Sequence, residues 1–159
     1  MEGFAGDSMN CGIAAFTFPI FTIQNLPEMP HSSYGSATED LLNWVEIPVA
    51  NMKRAMSFYR ELLGIDVHEM KLGNNDYALF AVNDKFNSGC LVKGDGYVPR
   101  MDGVVVYLNG GSDLSGVLAR VEKAGGKVLL AKTFLSAEAG NIAYFKDTEG
   151  NKIGLHSMN

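Results

Sequence analysis

Five side chains in this sequence are of a type and setting that could do chemistry or hold a ligand: Glu46, His156, Trp44, Cys90 and Tyr107. Glu46 stands in NWVEIPV, and His156 ends the stretch DTEGNKIGLH. A carboxylate that reaches an imidazole favours the charged ring and raises its pKa. Such a pair can act as acid and base, or simply orient a bound molecule. Side chains alternate along a strand, so Trp44, Glu46 and Pro48 share one face of theirs, and Gly154 and His156 share one face of theirs. A carboxylate enclosed on such a face needs a partner; the other reading of Glu46 is a strand-end residue hydrated at a cavity mouth. Trp44 can stack on a flat ligand or pack in the core. Tyr107 offers its hydroxyl as an anchor. Cys90 is either a soft nucleophile, for which the sequence names no base, or a buried inert thiol. His156 either works at a site or stands idle in solvent. His31 and His68 read as solvated, and Lys71, Lys93 and Arg100 are the basic groups that could meet an anionic ligand.

Composition narrows the setting. The 159 residues are 47% hydrophobic and 19% charged, which excludes a disordered chain. A net charge of −5 without a Lys/Arg cluster argues against nucleic acid and against an anionic lipid surface. Cys11 and Cys90 form no CxxC and no zinc spacing. No disulfide framework is expected, and a reducing cytoplasm fits. The apolar run at 11–23 is too short to span a bilayer. The first basic residue is Lys53, so the positive start of a signal peptide is missing.

The elements that must position these side chains follow from periodicity. Residues 1–40 read as an N-terminal extension, with an edge-strand candidate at 13–23 where FTFPIFTI alternates around Pro19. From 41 the order is regular. LLNWVEIPV predicts a strand, and Asn51 caps a helix, MKRAMSFYRELL, with Met52, Ala55, Met56, Tyr59, Leu62 and Leu63 on one face. Gly64 sits where a helix-ending glycine belongs. IDVHEMKL, DYALFAV and SGCLV predict three strands, and the turn-rich GDGYVPRMDG is a connector. The order then recurs: GVVVYLN, a helix DLSGVLARVEKA capped by Ser112 or Asp113 and ended by Gly125, then KVLLAKTFL, NIAYFK and KIGLH. The last two strands join through DTEGN, a hairpin turn with Gly150 at positive φ. Caps Asn51 and Ser112, and stops Gly64 and Gly125, are both 61 apart (112 − 51 and 125 − 64). A shared offset for cap and stop marks a repeat. The expected fold is α+β, two tandem β-α-β-β-β modules over 41–157, with module one at 41–94 and module two at 102–157.

NWVEIPVANMKRAMSFYRELLG at the start of this region and AYFKDTEGNKIGLH at its end, with GCLVKGDGY and VEKAGGKVLLAKT between, resemble the vicinal oxygen chelate superfamily. That superfamily includes glyoxalase I, ring-cleaving dioxygenases, and bleomycin- and fosfomycin-resistance proteins. The resemblance implies that each module curls its four-stranded sheet into a half-barrel and that two half-barrels enclose a cavity. In metal-dependent members, His and Glu from the first and last strands of each module hold a divalent ion that binds vicinal substrate oxygens. The residue-by-residue match departs from that pattern. The four positions fall on Trp44, at or next to Cys90, near Gly103, and on Gly154. Neither glycine nor tryptophan can ligate, and one thiol does not make an oxygen/nitrogen site.

The expectation is therefore a cytoplasmic homodimer that binds a small organic molecule in its half-barrel cavity, with no metal and no other cofactor. Trp44, Cys90 and Tyr107 would touch the ligand. Alternatives are a metal-free lyase, isomerase or hydrolase using Glu46 and His156, or a metal-dependent glyoxalase-type lyase or dioxygenase whose ligands lie elsewhere. The family geometry brings first and last ligand positions together, so Glu46 and His156, each two residues further along, are expected to face one cavity.

Overall fold

The computed structural model describes residues 42–159 apart from Asp84 and Asn87. The edge-strand candidate at 13–23, Cys11 and His31 lie outside the described residues. Module one runs β1 (Glu46–Pro48), α1 (Met52–Leu63), β2 (Asp66–Leu72), β3 (Asn75–Ala81) and β4 (Cys90–Lys93). Module two repeats it as β5 (Tyr107–Asn109), α2 (Leu114–Lys123), β6 (Lys127–Ser136), β7 (Gly140–Lys146) and β8 (Lys152–Ser157). Each module has one four-stranded sheet, β1-β4-β3-β2 or β5-β8-β7-β6, with its first strand parallel to its last and the other pairs antiparallel. The fold is α+β, as the periodicity predicts. No helix among the described residues is long and apolar enough to cross a membrane.

Local chemistry sets the helix ends. Asn51 Oδ1 accepts the Arg54 N–H at 3.1 Å, and Gly64 closes α1 at φ 68°. Asp113, not Ser112, caps α2, accepting from the Ser115 N–H at 3.1 Å. Strands β1 and β5 are shorter than the apolar runs that predict them. Three residues of each join the ladder, parallel to β4 and β8.

Both modules bury one core. Ile47 and Val49 of module one, Phe58, Tyr59 and Leu62 of α1, Leu114, Val117 and Val121 of α2, and Phe145, Ile153 and Leu155 of module two belong to a single apolar cluster. The Phe58 ring lies 5.9 Å from Phe145, and a side-chain carbon at Gly126 would stand 2.8 Å from that ring. A buried aromatic such as Phe58 is worth about 1.5–3 kcal/mol in apolar transfer alone. One face of each sheet is thereby spent on a common helix layer. The opposite faces carry Glu46, Pro48, Cys90 and Tyr77 in module one, and Tyr107, Tyr144, Gly154 and His156 in module two. They turn away from the shared core.

The DTEGN turn pins the two modules together. Gly150 has φ 103°, as the hairpin reading requires. Asp147 is buried, and its Oδ1 accepts from the amides of Glu149, Gly150 and Asn151 at 2.8–2.9 Å. Its Oδ2 accepts from the Tyr59 hydroxyl of α1 at 2.9 Å and from Asn151 Nδ2 at 2.8 Å. Asn151 Nδ2 also donates to the Pro48 carbonyl at 2.8 Å. Glu149 reaches the start of α1: Oε2 accepts the Ala50 and Asn51 amides at 3.0 and 2.8 Å, and Oε1 accepts Arg54 Nε at 2.8 Å. A carboxylate there also suits the positive end of the helix dipole. Burial alone would raise the Glu149 carboxyl, but Arg54 and the two amides outweigh it and hold its pKa below the ordinary value.

Candidate functional site

On the open face of module one, Glu46 lies opposite Cys90 across the parallel pair β1–β4. Its Oε2 accepts the Tyr97 hydroxyl at 2.6 Å, at an exposed position on the strand. That hydrogen bond, with burial and the Glu46 charge behind it, pushes Tyr97 up to about 12. Cys90 is a free, buried thiol. Burial first, then the charge of Glu46, push it up to about 11, against a hydrogen bond from the Trp44 side chain that lowers it. The thiol is protonated at neutral pH, the inert one of its two readings. Trp44 is 43% exposed, so its ring is not spent on core packing. The structure therefore groups Trp44, Glu46 and Cys90.

On the open face of module two, Tyr107 of β5 lies opposite Gly154 of β8, and Tyr144 of β7 flanks Gly154 on the other side. Gly103 lies in the bend before β5, and Tyr107 is the residue in register with Gly154. A side-chain carbon at 154 would stand 2.5–2.8 Å from the Tyr107 ring, so that ring lies over the glycine. The hydroxyls of Tyr107 and Tyr144 hydrogen-bond each other, with ring centroids 5.7 Å apart. This bond, then burial, raises the Tyr107 pKa. Lys152 Nζ stands 4.4 Å from the centre of the Tyr144 ring, a cation–π contact. His156 Nε2 lies 2.8 Å from the Ala139 carbonyl, which can only accept, so this nitrogen carries the proton.

Three cavities bear on these residues. One of about 240 Å³ is lined by Glu46, Pro48, Val98, Arg100 and Lys152 among others. Tyr107, Asn109 and His156 line a second, of about 390 Å³. Lys71 and Lys93 line a third, of about 540 Å³, beside the start of α1 with Asp76 and Tyr77. Within one chain, then, Tyr107 and His156 come together, while Glu46 lines a different cavity from His156. His68 is exposed, edge-on to Phe86. Among the described residues no three His, Cys, Asp or Glu side chains form a group that could hold a metal ion.

Tyr97, Tyr144 and Lys152 belong to these faces and were not singled out from the sequence. For two of them a signal exists: Lys152 alternates with Gly154 and His156 in KIGLH, and Tyr144 stands in AYFK beside it. Tyr97 lies in a connector, where no period marks a direction.

Comparison with known proteins agrees with this geometry. No curated protein sequence matches the chain. Among solved structures, a glyoxalase I variant from Zea mays superposes with a TM-score of 0.56 at 23% identity, covering 74% of this chain and 46% of that one. The chain thus spans about half the length of the maize protein. FosX, a fosfomycin resistance protein from Listeria monocytogenes, gives 0.58 at 12% identity over 76% and 92% of the two chains. TnmS3, an antibiotic binding protein from a Streptomyces species, gives 0.53 at 23% identity over 77% and 98%. At these identities the likeness is one of fold. The sequence profile of one family covers residues 41–155, both modules from the strand before α1 to the last strand. With that match across paired β-α-β-β-β units, the chain belongs to the glyoxalase/bleomycin resistance protein/dioxygenase superfamily.

Proposed function

We propose that this protein binds a small, flat organic molecule without a metal. The cavity lies between the open face of module one in one copy and the open face of module two in a second. The observation that carries this reading is the shared core. Each sheet gives one face to the common helix layer, which turns the two remaining faces away from the shared core and favours closing each against a second copy. Trp44 and Tyr107, 43% and 44% exposed, leave aromatic surface uncovered there. A homodimer covers both faces at once and brings Glu46 of one copy toward His156 of the other, where each would orient the ligand. The donor set supports binding without a divalent ion: Trp44 and Gly154 offer no ligand atom, the Cys90 thiol holds its proton, and the Tyr107 ring covers Gly154. A cytoplasmic setting suits the free thiol of Cys90. The antibiotic-binding and fosfomycin-resistance relatives lend the small-molecule reading further support.

Amide chemical-shift mapping with a library of planar aromatic acids, amines and neutral compounds tests it. The expected hits shift amides on both open faces, bind equally with and without chelator, and are recovered unchanged after incubation. Hits that bind only after nickel, zinc or manganese is added would refute the metal-free reading. A library without hits would refute small-molecule binding.

A further inference from the structure

We infer that Tyr107, Tyr144 and Lys152 form a ledge on module two, around Gly154, that takes the carboxylate of a flat aromatic acid. This rests on the small-molecule reading above and names its ligand class. The argument is one of donors. Two tyrosine hydroxyls carry two protons, and the bond between them uses one. The second proton is left for another acceptor. Lys152 adds an ammonium beside the Tyr144 ring, and it makes no ion pair among the described residues. The charges that share a cavity with it are Arg100 and Glu46, and Glu46 already accepts from Tyr97. Two cations against one engaged carboxylate leave that cavity positive; the tyrosines do not line it, and Lys152 is the residue it shares with the ledge. A hydroxyl with a proton to give and an ammonium over the Tyr144 ring match a planar group of two oxygens sharing one negative charge. Gly154 supplies the flat floor: with no side chain there, the Tyr107 ring lies on the sheet and offers its face for stacking.

Benzoate, benzamide and benzylamine share a ring and differ in charge, so calorimetric titration with each reads the ledge directly. At pH 7.5 and low salt, benzoate should bind at least tenfold tighter than benzamide, and benzylamine more weakly still. Lys152→Met, which keeps the apolar stem of this half-buried side chain and whose fold circular dichroism checks, should erase that tenfold preference. Tyr107→Phe or Tyr144→Phe alone should cost no more than about threefold, because the surviving hydroxyl turns its proton to the ligand; the double variant should cost about tenfold. Benzamide binding as tightly as benzoate, or a preference that survives Lys152→Met, would overturn the ledge and leave small-molecule binding standing. No binding of any of the three would also overturn it, and the wider library then decides the broader reading separately.

Discussion

Gly154 shows how one missing side chain shapes a surface. Its backbone is ordinary strand, so alanine is allowed by conformation and forbidden by the Tyr107 ring 2.5–2.8 Å away. Because Tyr107 is 44% exposed, the ring can swing out at the cost of its bond to Tyr144. Gly154→Ala should therefore destabilise the fold by ~1–2 kcal/mol in urea titration. In a Tyr107→Ala background the same change should be nearly neutral, leaving a coupling of ~1–2 kcal/mol. Full additivity of the two would mean that the ring does not rest on residue 154. Cys90 offers a second test at this scale. With its pKa near 11, about one thiol in a thousand is ionised at pH 8. Peptide-resolved iodoacetamide labelling should find Cys90 unmodified in the folded protein and readily modified in denaturant. Labelling at the rate of a free peptide thiol would contradict the buried, protonated state.

At the scale of elements, the DTEGN turn is the joint of the molecule. Asp147→Asn would turn an amide N–H₂ toward donors, either the Tyr59 hydroxyl or the clustered turn amides, and should cost about 2–4 kcal/mol. Tyr59→Phe removes one donor from the same carboxylate and should cost about 1–2 kcal/mol. Glu149 makes the joint pH-dependent. Its folded pKa lies below the ordinary 4.5, so its contribution is complete above pH 4.5 and is lost as pH falls through the lower folded value. Glu149→Gln should remove that part of the acid slope and lower stability at pH 7 by about 1–3 kcal/mol. An unchanged slope between pH 6 and 3 would show that the carboxylate carries no linkage. These contacts also mark what sequence can and cannot tell. Both helices were legible, because Asn51, Gly64 and the apolar stripes act over a few residues. The repeat was legible for the same reason, although its second cap lies one residue further on, at Asp113. Trp44 and Glu46 were legible as face-mates from alternation. The Glu149 carboxylate on the Ala50 amide spans 99 residues, and nothing local announces it. The Glu46–Tyr97 bond was hidden likewise, since a connector has no period to give Tyr97 a direction.

At the scale of the whole molecule, what matters is which two open faces make one cavity. If each cavity joins module one of one copy to module two of another, the two faces of a site belong to different chains. Defects on the two faces then complement each other. Trp44→Ala damages the module-one face, and Tyr107→Ala damages the module-two face. A dimer of either variant has two damaged sites. A mixed dimer has one site carrying both defects and one site carrying neither. Random exchange makes half the dimers mixed, so about a quarter of all sites should regain wild-type affinity for benzoate. Cavities formed within single chains predict something else: every site keeps its own defect, and mixing restores nothing. Equimolar variants, exchanged in mild urea, refolded and titrated, separate the two. Sedimentation at the same concentrations should show a dimer throughout. A quarter of full stoichiometry in the mixture, against none in either variant alone, is the expected result, and none in the mixture would return the two faces of each cavity to a single chain.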